Sequence, residues 1–147
     1  MRKAGALSGA HLAEPDAAFM TFGVGFLLLW QGDLEEARVQ LEKSLAMTER
    51  TSDVVLRARC LCYLDVTALR RNDAEVVRAT APLALEAAET AHYPEYVAAA
   101  KAHMAWVAWQ DGRAQDVLAL ASEALALWAS TVVSYSWFWI LGRTATA

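Results

Sequence analysis

The sequence has few residues that interrupt helices, few cysteines and no excess of positive charge. Three prolines and seven glycines in 147 residues are few enough to permit long helices. Cys60 and Cys62 are separated by one residue, which fits neither a zinc-binding pair nor a disulfide framework, so we expect reduced thiols in a cytoplasmic protein. The net charge of −4 argues against nucleic acid as a direct partner, because phosphate binding requires a basic face.

Motifs for catalysis, cofactor binding and membrane insertion are also missing. There is no Gly-x-x-x-x-Gly-Lys-Ser/Thr phosphate loop, and His11, His92 and His103 stand in unrelated settings. His103 is interpreted as an ordinary packing or surface histidine. The uncharged run 17–30 is shorter than the ~20 residues that a membrane span needs. We therefore expect no enzyme activity, no metal, no cofactor and no membrane partner.

One stretch of sequence, centred on a glycine or asparagine, recurs twice at a fixed interval. We call this interval the period. The stretch occupies residues 30–37, 70–77 and 110–117, so that Gly32, Asn72 and Gly112 are spaced by 40. Glycine and asparagine tolerate the left-handed backbone just past a helix C-terminus, and Asp33 and Asp73 are placed to cap a following helix. Apolar residues recur at three- and four-residue steps on both sides. Each copy therefore predicts the turn of a helical hairpin.

The period divides the chain into three hairpins and two partial helices. The predicted helices are 17–31 and 34–49 in repeat 1, 54–71 and 74–91 in repeat 2, and 95–110 and 114–128 in repeat 3. Residues 1–14 correspond to the tail of a preceding helix, and residues 132–141 to the start of a fourth first helix. Pro82 predicts a kink in its helix or a division into two. No segment predicts a strand, so the expectation is one all-α domain over residues 1–147.

The hairpin resembles the tetratricopeptide repeat in its longer form of about 40 residues. The resemblance rests on Gly-Asp-Leu-Glu-Glu-Ala at 32–37 and on packing positions such as Gly25, Ala37, Leu41 and Ser44. It is similar to the sensor regions of large ATP-dependent bacterial transcription activators of the LuxR and maltose-activator type. The resemblance implies a right-handed α-solenoid of stacked antiparallel hairpins. It further implies a non-catalytic scaffold that binds a protein or senses an effector within, or derived from, a transcription regulator.

The same resemblance places the first helix of each hairpin on a concave groove. The groove positions are Phe19, Phe22, Phe26 and Trp30 in repeat 1, Arg59, Val66 and Arg70 in repeat 2, and Trp106 and Trp109 in repeat 3. Such an aromatic stripe is either a binding face or helix-packing core, and both interpretations stay open. As a groove it suits a protein or peptide, or a small apolar effector with an acidic group, because arginine pairs carboxylates while aromatic rings bury the rest.

Asp65 stands at a position where the repeat normally has glycine or alanine. A carboxylate there is expected to be paired or hydrogen-bonded, because burying it alone is costly. Arg78 and Arg38 are the candidate partners. The alternative is a slightly rotated helix that exposes Asp65.

The C-terminal end is rich in aromatic residues, and we expect no further helix to cover them. Its members are Trp128, Tyr135, Trp137, Phe138 and Trp139. Because repeat arrays usually carry a polar cap, this segment is expected to fold back on the sixth helix or to mediate self-association. The alternative function is therefore a structural repeat fragment that forms a homodimer through its ends. A small all-α enzyme is a third alternative.

Overall fold

The computed structural model describes residues 13–131 of the chain. Within this range the chain forms six α-helices and no strand. They are α1 (Glu14–Gln31), α2 (Leu34–Thr51), α3 (Val54–Arg70), α4 (Ala74–Thr90), α5 (Pro94–Gln110) and α6 (Ala114–Ser130). The predicted all-α class and six helices are confirmed, and every predicted boundary lies within three residues of the observed one. Glu14 belongs to α1 rather than to a preceding helix; the rest of the predicted partial helices, 1–12 and 132–141, falls outside the described residues.

The turns between helices recur at half the period of the hairpins. A residue with positive φ follows each of the first five helices: Gly32 (96°), Ser52 (54°), Asn72 (55°), His92 (51°) and Gly112 (71°). The sequence predicted the turns at Gly32, Asn72 and Gly112, but not that Ser52 and His92 adopt the same left-handed conformation. Each such residue ends its helix and reverses the chain within two or three residues.

Three aspartates cap the helices that follow these turns. Asp33, Asp53 and Asp73 each precede a helix, and each accepts a hydrogen bond from the backbone N–H three residues further on. The shortest of the three bonds joins Leu56 N to Asp53 Oδ1 at 2.9 Å. Because the first amides of a helix have no partner within the helix, these caps set where α2, α3 and α4 begin.

Consecutive helices pack against each other along the whole described chain. In addition α1 contacts α3, and α3 contacts α5, whereas the even-numbered helices of residues 13–131 do not contact one another. The odd-numbered helices therefore form a continuous layer in which neighbours touch. The even-numbered helices lie over this layer with grooves between them. No helix in this part of the chain is long and apolar enough to cross a bilayer.

Small residues let α1 and α2 approach closely. A Cβ atom added at Gly25 would lie 2.9 Å from Cγ of Leu41, so only glycine fits opposite that leucine. The equivalents of Leu41 in the second and third repeats are Ala81 and Ala121, both fully buried. Pro82 lies inside α4, which continues as one helix from Ala74 to Thr90, so of the two predicted alternatives, a kink or a division, the division into two helices is wrong.

Candidate functional site

The predicted groove residues lie at three depths in the odd-numbered layer. Phe22 and Val66 are buried, whereas Phe26, Arg59 and Trp106 are half-buried. The remaining four are exposed: Phe19, Trp30, Arg70 and Trp109. Phe19, Trp30 and Trp109 keep 53%, 46% and 61% of their surface exposed. The set thus contains both core residues and residues that a partner could reach.

A row of aromatic rings crosses the odd-numbered layer from α1 to α5. Phe26 of α1 packs edge-on against Trp30 of the same helix and against Tyr63 of α3, with ring centroids 6.0 and 5.1 Å apart. Tyr63 continues to Tyr96 of α5 at 6.5 Å, and Tyr96 to Tyr93 at 4.7 Å. Edge-on pairs at these distances add attraction beyond the area they bury. We call these five residues the aromatic row.

Sequence reasoning missed the three tyrosines of this row. The predicted groove positions on α3 were Arg59, Val66 and Arg70, and Tyr63 was not among them. Tyr93 and Tyr96 flank the proline that begins α5, where the sequence indicated only a break between helices. The available signal was the helical spacing of Tyr63 from Arg59 and Val66, four residues before and three residues after it.

The two predicted groove arginines have specific partners. The guanidinium carbon of Arg59 lies 5.7 Å from the ring centroid of Tyr93, and Nη2 donates to the Tyr93 hydroxyl at 3.3 Å. This arrangement holds one positive charge beside the aromatic row. Arg70 instead donates from Nη1 to the backbone carbonyl of Leu29, where it satisfies the C-terminal end of α1.

The two tryptophans of α5 are separate from the aromatic row. Trp106 packs against a smaller cluster formed by Ala68, Val77, Ala81 and Val107, so part of its ring contributes to helix packing. Trp109 stays on the surface. Between residues 13 and 131, neither of them stacks with another aromatic ring. The structure therefore joins the groove residues of repeats 1 and 2 but leaves those of repeat 3 apart.

Asp65 is fully buried and hydrogen-bonded, as the sequence predicted, but its partners differ from the predicted ones. Its Oδ2 lies 3.1 Å from Nδ1 of His103, and the Thr80 hydroxyl donates to Oδ1. Burial raises the pKa of the Asp65 carboxyl, an effect that the bonds from His103 and Thr80 oppose.

The two arginines proposed as partners of Asp65 are engaged elsewhere. Arg38 pairs with Glu35 and Glu42, whereas Arg78 pairs with Glu75 and Asp111. Both proposed pairings are wrong because these guanidinium groups lie on the exposed surface of the even-numbered helices. The interpretation of His103 as a packing residue holds, although the ring also carries the hydrogen bond to the carboxylate.

Two grooves lie between the even-numbered helices. One, of about 360 Å³, is lined by Arg38, Glu42, Thr67 and Thr80 among others. The next, of about 170 Å³, lies one repeat further along and is lined by Arg78, Pro82, Val107 and Leu120, the equivalents of those four. Most side chains that line the first groove are polar, whereas most of those that line the second are apolar. An arginine lines each groove, Arg38 the first and Arg78 the second. Both arginines already form ion pairs with acidic side chains.

The two cysteines lie in the core of the described part of the chain. Cys60 and Cys62 are free thiols and buried; burial raises the pKa of Cys60 to about 11 and that of Cys62 above its usual range. A buried thiol of raised pKa is a poor nucleophile. Across residues 13–131, no three His, Cys, Asp or Glu side chains are grouped to hold a metal ion.

Of the predicted end segment, only Trp128 lies in the described range. It is buried, and its indole N–H donates to the carbonyl of Glu95 at 3.2 Å, which ties the end of α6 to the start of α5. Tyr135, Trp137, Phe138 and Trp139 lie outside the described residues.

A comparison with protein-family models gave no match, and a comparison with curated proteins gave none either.

Proposed function

We propose that this chain is a non-catalytic binding scaffold whose partner lies on the layer of odd-numbered helices. The observation that carries the proposal is the exposure of three large aromatic residues, Phe19, Trp30 and Trp109, on that layer. Aromatic side chains dominate the energetics of interfaces because each buries a large area at a low cost in conformational entropy. Exposed aromatic residues in this layer would therefore serve as the anchors of a recognition surface.

The proposal includes a tetratricopeptide-like right-handed α-solenoid. Its support is the regularity of the helices: α3 and α5 begin one period apart, at Val54 and Pro94, and α2, α4 and α6 follow each other at the same interval. Repeats of this kind expose a layer of first helices as an extended surface. On this proposal the module belongs to, or derives from, a bacterial transcription regulator, in which binding of the partner would be the sensed event.

A peptide segment of a partner protein fits the layer better than a small effector does. The exposed aromatics are distributed between α1 and α5, and the two grooves described above lie on the opposite, even-numbered side. An extended ligand can contact both helices at once, whereas a small molecule needs an enclosed cavity. The charge of Arg59, held beside Tyr93, favours a peptide that carries an acidic side chain among its apolar ones.

The test is a selection of displayed random peptides on the full chain, followed by binding titrations with the enriched peptides. Trp30→Ala and Trp109→Ala should each weaken binding by about thirtyfold, as expected for loss of an anchor worth ~2 kcal/mol. Leu118→Ala is the matched control, because Leu118 is 58% exposed but lies on α6, in the other layer.

Retained binding in Leu118→Ala, together with loss in both tryptophan variants, supports the proposal. A selection without enrichment contradicts it, as do peptides that tolerate both tryptophan changes. Light scattering on the same samples identifies the self-association alternative. Dimers would then form without peptide and would dissociate in the two tryptophan variants.

A further inference from the structure

One side of α1 is apolar and exposed, although the equivalent side of α3 is covered. Met20, Val24 and Leu27, which we call the α1 face, keep 59%, 45% and 60% of their surface exposed. Residues at these spacings are neighbours on one side of a helix. The equivalent residues of the second repeat keep at most 7%; they are Cys60, Leu64 and Thr67. Since the α1 face is no less apolar than the covered one, the difference between them lies in what packs on each.

The element that covers this side of α3 is an antiparallel helix. Cys60 Sγ donates to Ser44 Oγ of α2 at 3.3 Å. Glu49, near the end of α2, pairs with Arg57, near the start of α3, at 3.8 Å, so the two helices run in opposite directions. The second repeat therefore shows which kind of element fits such a face, namely an antiparallel helix.

We infer that the α1 face is a dimer interface, in which α1 of a second copy packs antiparallel on α1. The spacing of the face suits this arrangement, because Met20 of one copy then lies opposite Leu27 of the other, and Val24 lies opposite Gly23. A Cβ atom added at Gly23 would meet nothing within 4 Å, so the glycine leaves room for the valine of the other copy. One surface thus serves both partners, as a two-fold dimer requires.

The charges on α1 favour a second copy over another protein. Residues 17–30 carry no charge, and homodimer interfaces are more apolar than those between transient partners. Asp16 makes the first turn of α1 acidic, whereas Arg70 donates to the carbonyl of Leu29 and brings a positive charge to the other end of the helix. Antiparallel packing places Asp16 of one copy beside Gln31 of the other, at the end that holds this charge. Two-fold symmetry makes the favourable contact twice.

This inference goes beyond the proposed peptide binding and does not depend on it. Trp109 lies on α5 and not on the α1 face, so Trp109→Ala should weaken peptide binding and leave this dimer intact. A dimer that persists in Trp109→Ala is therefore distinct from the self-association alternative described above. Loss of the dimer in Trp109→Ala would overturn the inference without bearing on Val24 or its neighbours as peptide contacts.

The first test is analytical ultracentrifugation of the full chain over a concentration series. The native chain should dimerise, and Val24→Glu should weaken the dimer by about thirtyfold or more, because it buries a carboxylate of each copy near the two-fold axis. Val39→Glu is the matched control, since Val39 is a valine of similar exposure, 40% against 45%, and lies on α2. A native chain that stays monomeric at its highest soluble concentration would overturn the inference, as would equal weakening in the two glutamate variants.

Disulfide cross-linking tests the antiparallel register, and it needs changes only at exposed positions, so it also covers a failure of Val24→Glu to fold. Along the helix axis, Val24 lies about 1.5 Å from its symmetry mate and Met20 about 10 Å from its own, at 1.5 Å per residue. Because a disulfide demands close Cβ atoms, Val24→Cys should form disulfide-linked dimers about tenfold or more faster than Met20→Cys. A mixture of Met20→Cys and Leu27→Cys chains should link rapidly as well.

The native thiols do not compete in this experiment, since both are buried. Equal rates in Val24→Cys and Met20→Cys would overturn the inference, because they would indicate random collision. Faster linking in Met20→Cys would overturn it too, because that result requires parallel helices.

Discussion

Asp65 and His103 form a fully buried pair, with Oδ2 3.1 Å from Nδ1 and both side chains 0% exposed. The Thr80 hydroxyl donates to the other carboxylate oxygen, so one acidic group links α3, α4 and α5. Nε2 of His103 is buried without a hydrogen-bond partner in the described part of the chain. Asp65 stands where the neighbouring repeats have Gly25 and Ala105, so this polar contact replaces the close packing of small residues.

The stability conferred by Asp65 should decrease as pH rises. Burial raises its pKa above the ordinary value of 3.8, so the folded state binds a proton more tightly than the unfolded state. The contribution is fully present below pH 3.8 and is lost as pH rises through the folded-state pKa. We expect Asp65→Asn, which never ionises, to gain stability relative to the native chain over this range. Urea unfolding of both proteins at a series of pH values measures the difference.

Asp111 provides a control of the opposite sign. The hydrogen bonds from Arg78 and Arg113 lower the pKa of this exposed carboxyl. Its contribution is therefore present above pH 3.8 and lost as pH falls through the lowered folded-state pKa. The stability of the native chain relative to Asp111→Asn should therefore fall as pH decreases, whereas its stability relative to Asp65→Asn should fall as pH rises. The change should be smaller for Asp111, because solvent screens the exposed pair. Parallel pH profiles for the two variants would contradict the assignment of Asp65 as a buried acid.

The spacing of turn residues was sufficient to predict the helices, because each boundary depends on local chemistry. Gly32 and Asp33 stop one helix and cap the next within two adjacent residues, and such signals are readable without knowing the neighbours. The partners of Asp65 were not predictable in this way. His103 lies 38 residues away in the chain, and Arg38 and Arg78 were equally plausible until their surface pairing with acidic residues was known. The tyrosines of the aromatic row escaped prediction for the same reason, since helix rotation depends on packing.

His92→Gly should stabilise the protein. His92 is exposed and has φ of 51°, a conformation that costs a residue with a Cβ atom about 1–2 kcal/mol and glycine almost nothing. After the entropy cost of glycine in the unfolded chain, we expect a net gain of about 0.5–1 kcal/mol in the free energy of unfolding. Thermal unfolding followed by circular dichroism measures it.

Gly32→Ala is the matched reverse change for this prediction. Gly32 has φ of 96°, and a Cβ atom there would meet nothing within 4 Å. Only backbone strain therefore acts, and a loss of about 1 kcal/mol is expected. His92→Ala should show no gain, because alanine has the same difficulty with positive φ. A gain in His92→Ala equal to that in His92→Gly would mean that the histidine side chain, and not the backbone, is the source of the effect.

Gly25 and Leu41 should show strong coupling in a double-mutant cycle. A Cβ atom at position 25 would lie 2.9 Å from Leu41 Cγ and 3.1 Å from its backbone nitrogen. Gly25→Ala alone should therefore cost about 1–3 kcal/mol through overpacking. In the Leu41→Ala background the same change should instead stabilise by about 0.5–1 kcal/mol, because alanine is the better helix former. The sequence offers a precedent in Ala105 and Ala121, the equivalent pair of the third repeat. Equal effects of Gly25→Ala in both backgrounds would show that backbone proximity, rather than the leucine side chain, forbids the alanine.

Trp106 and Trp109 should separate packing from recognition within one helix. Trp106 is half-buried against Ala68, Val77 and Val107, so Trp106→Ala removes apolar contacts between helices and should cost about 2 kcal/mol, or a Tm decrease of about 4–8 °C. Trp109 is 61% exposed, so Trp109→Ala should stay within about 0.5 kcal/mol of the native chain. Binding of a selected peptide should show the reverse order, with the larger loss in Trp109→Ala when both variants are measured well below their Tm.

If Trp106→Ala binds thirtyfold more weakly at unchanged Tm, Trp106 is a groove anchor and the packing interpretation fails. If Trp109→Ala lowers Tm as much as Trp106→Ala does, both rings belong to the core, and the exposed layer of odd-numbered helices loses its main candidate for recognition.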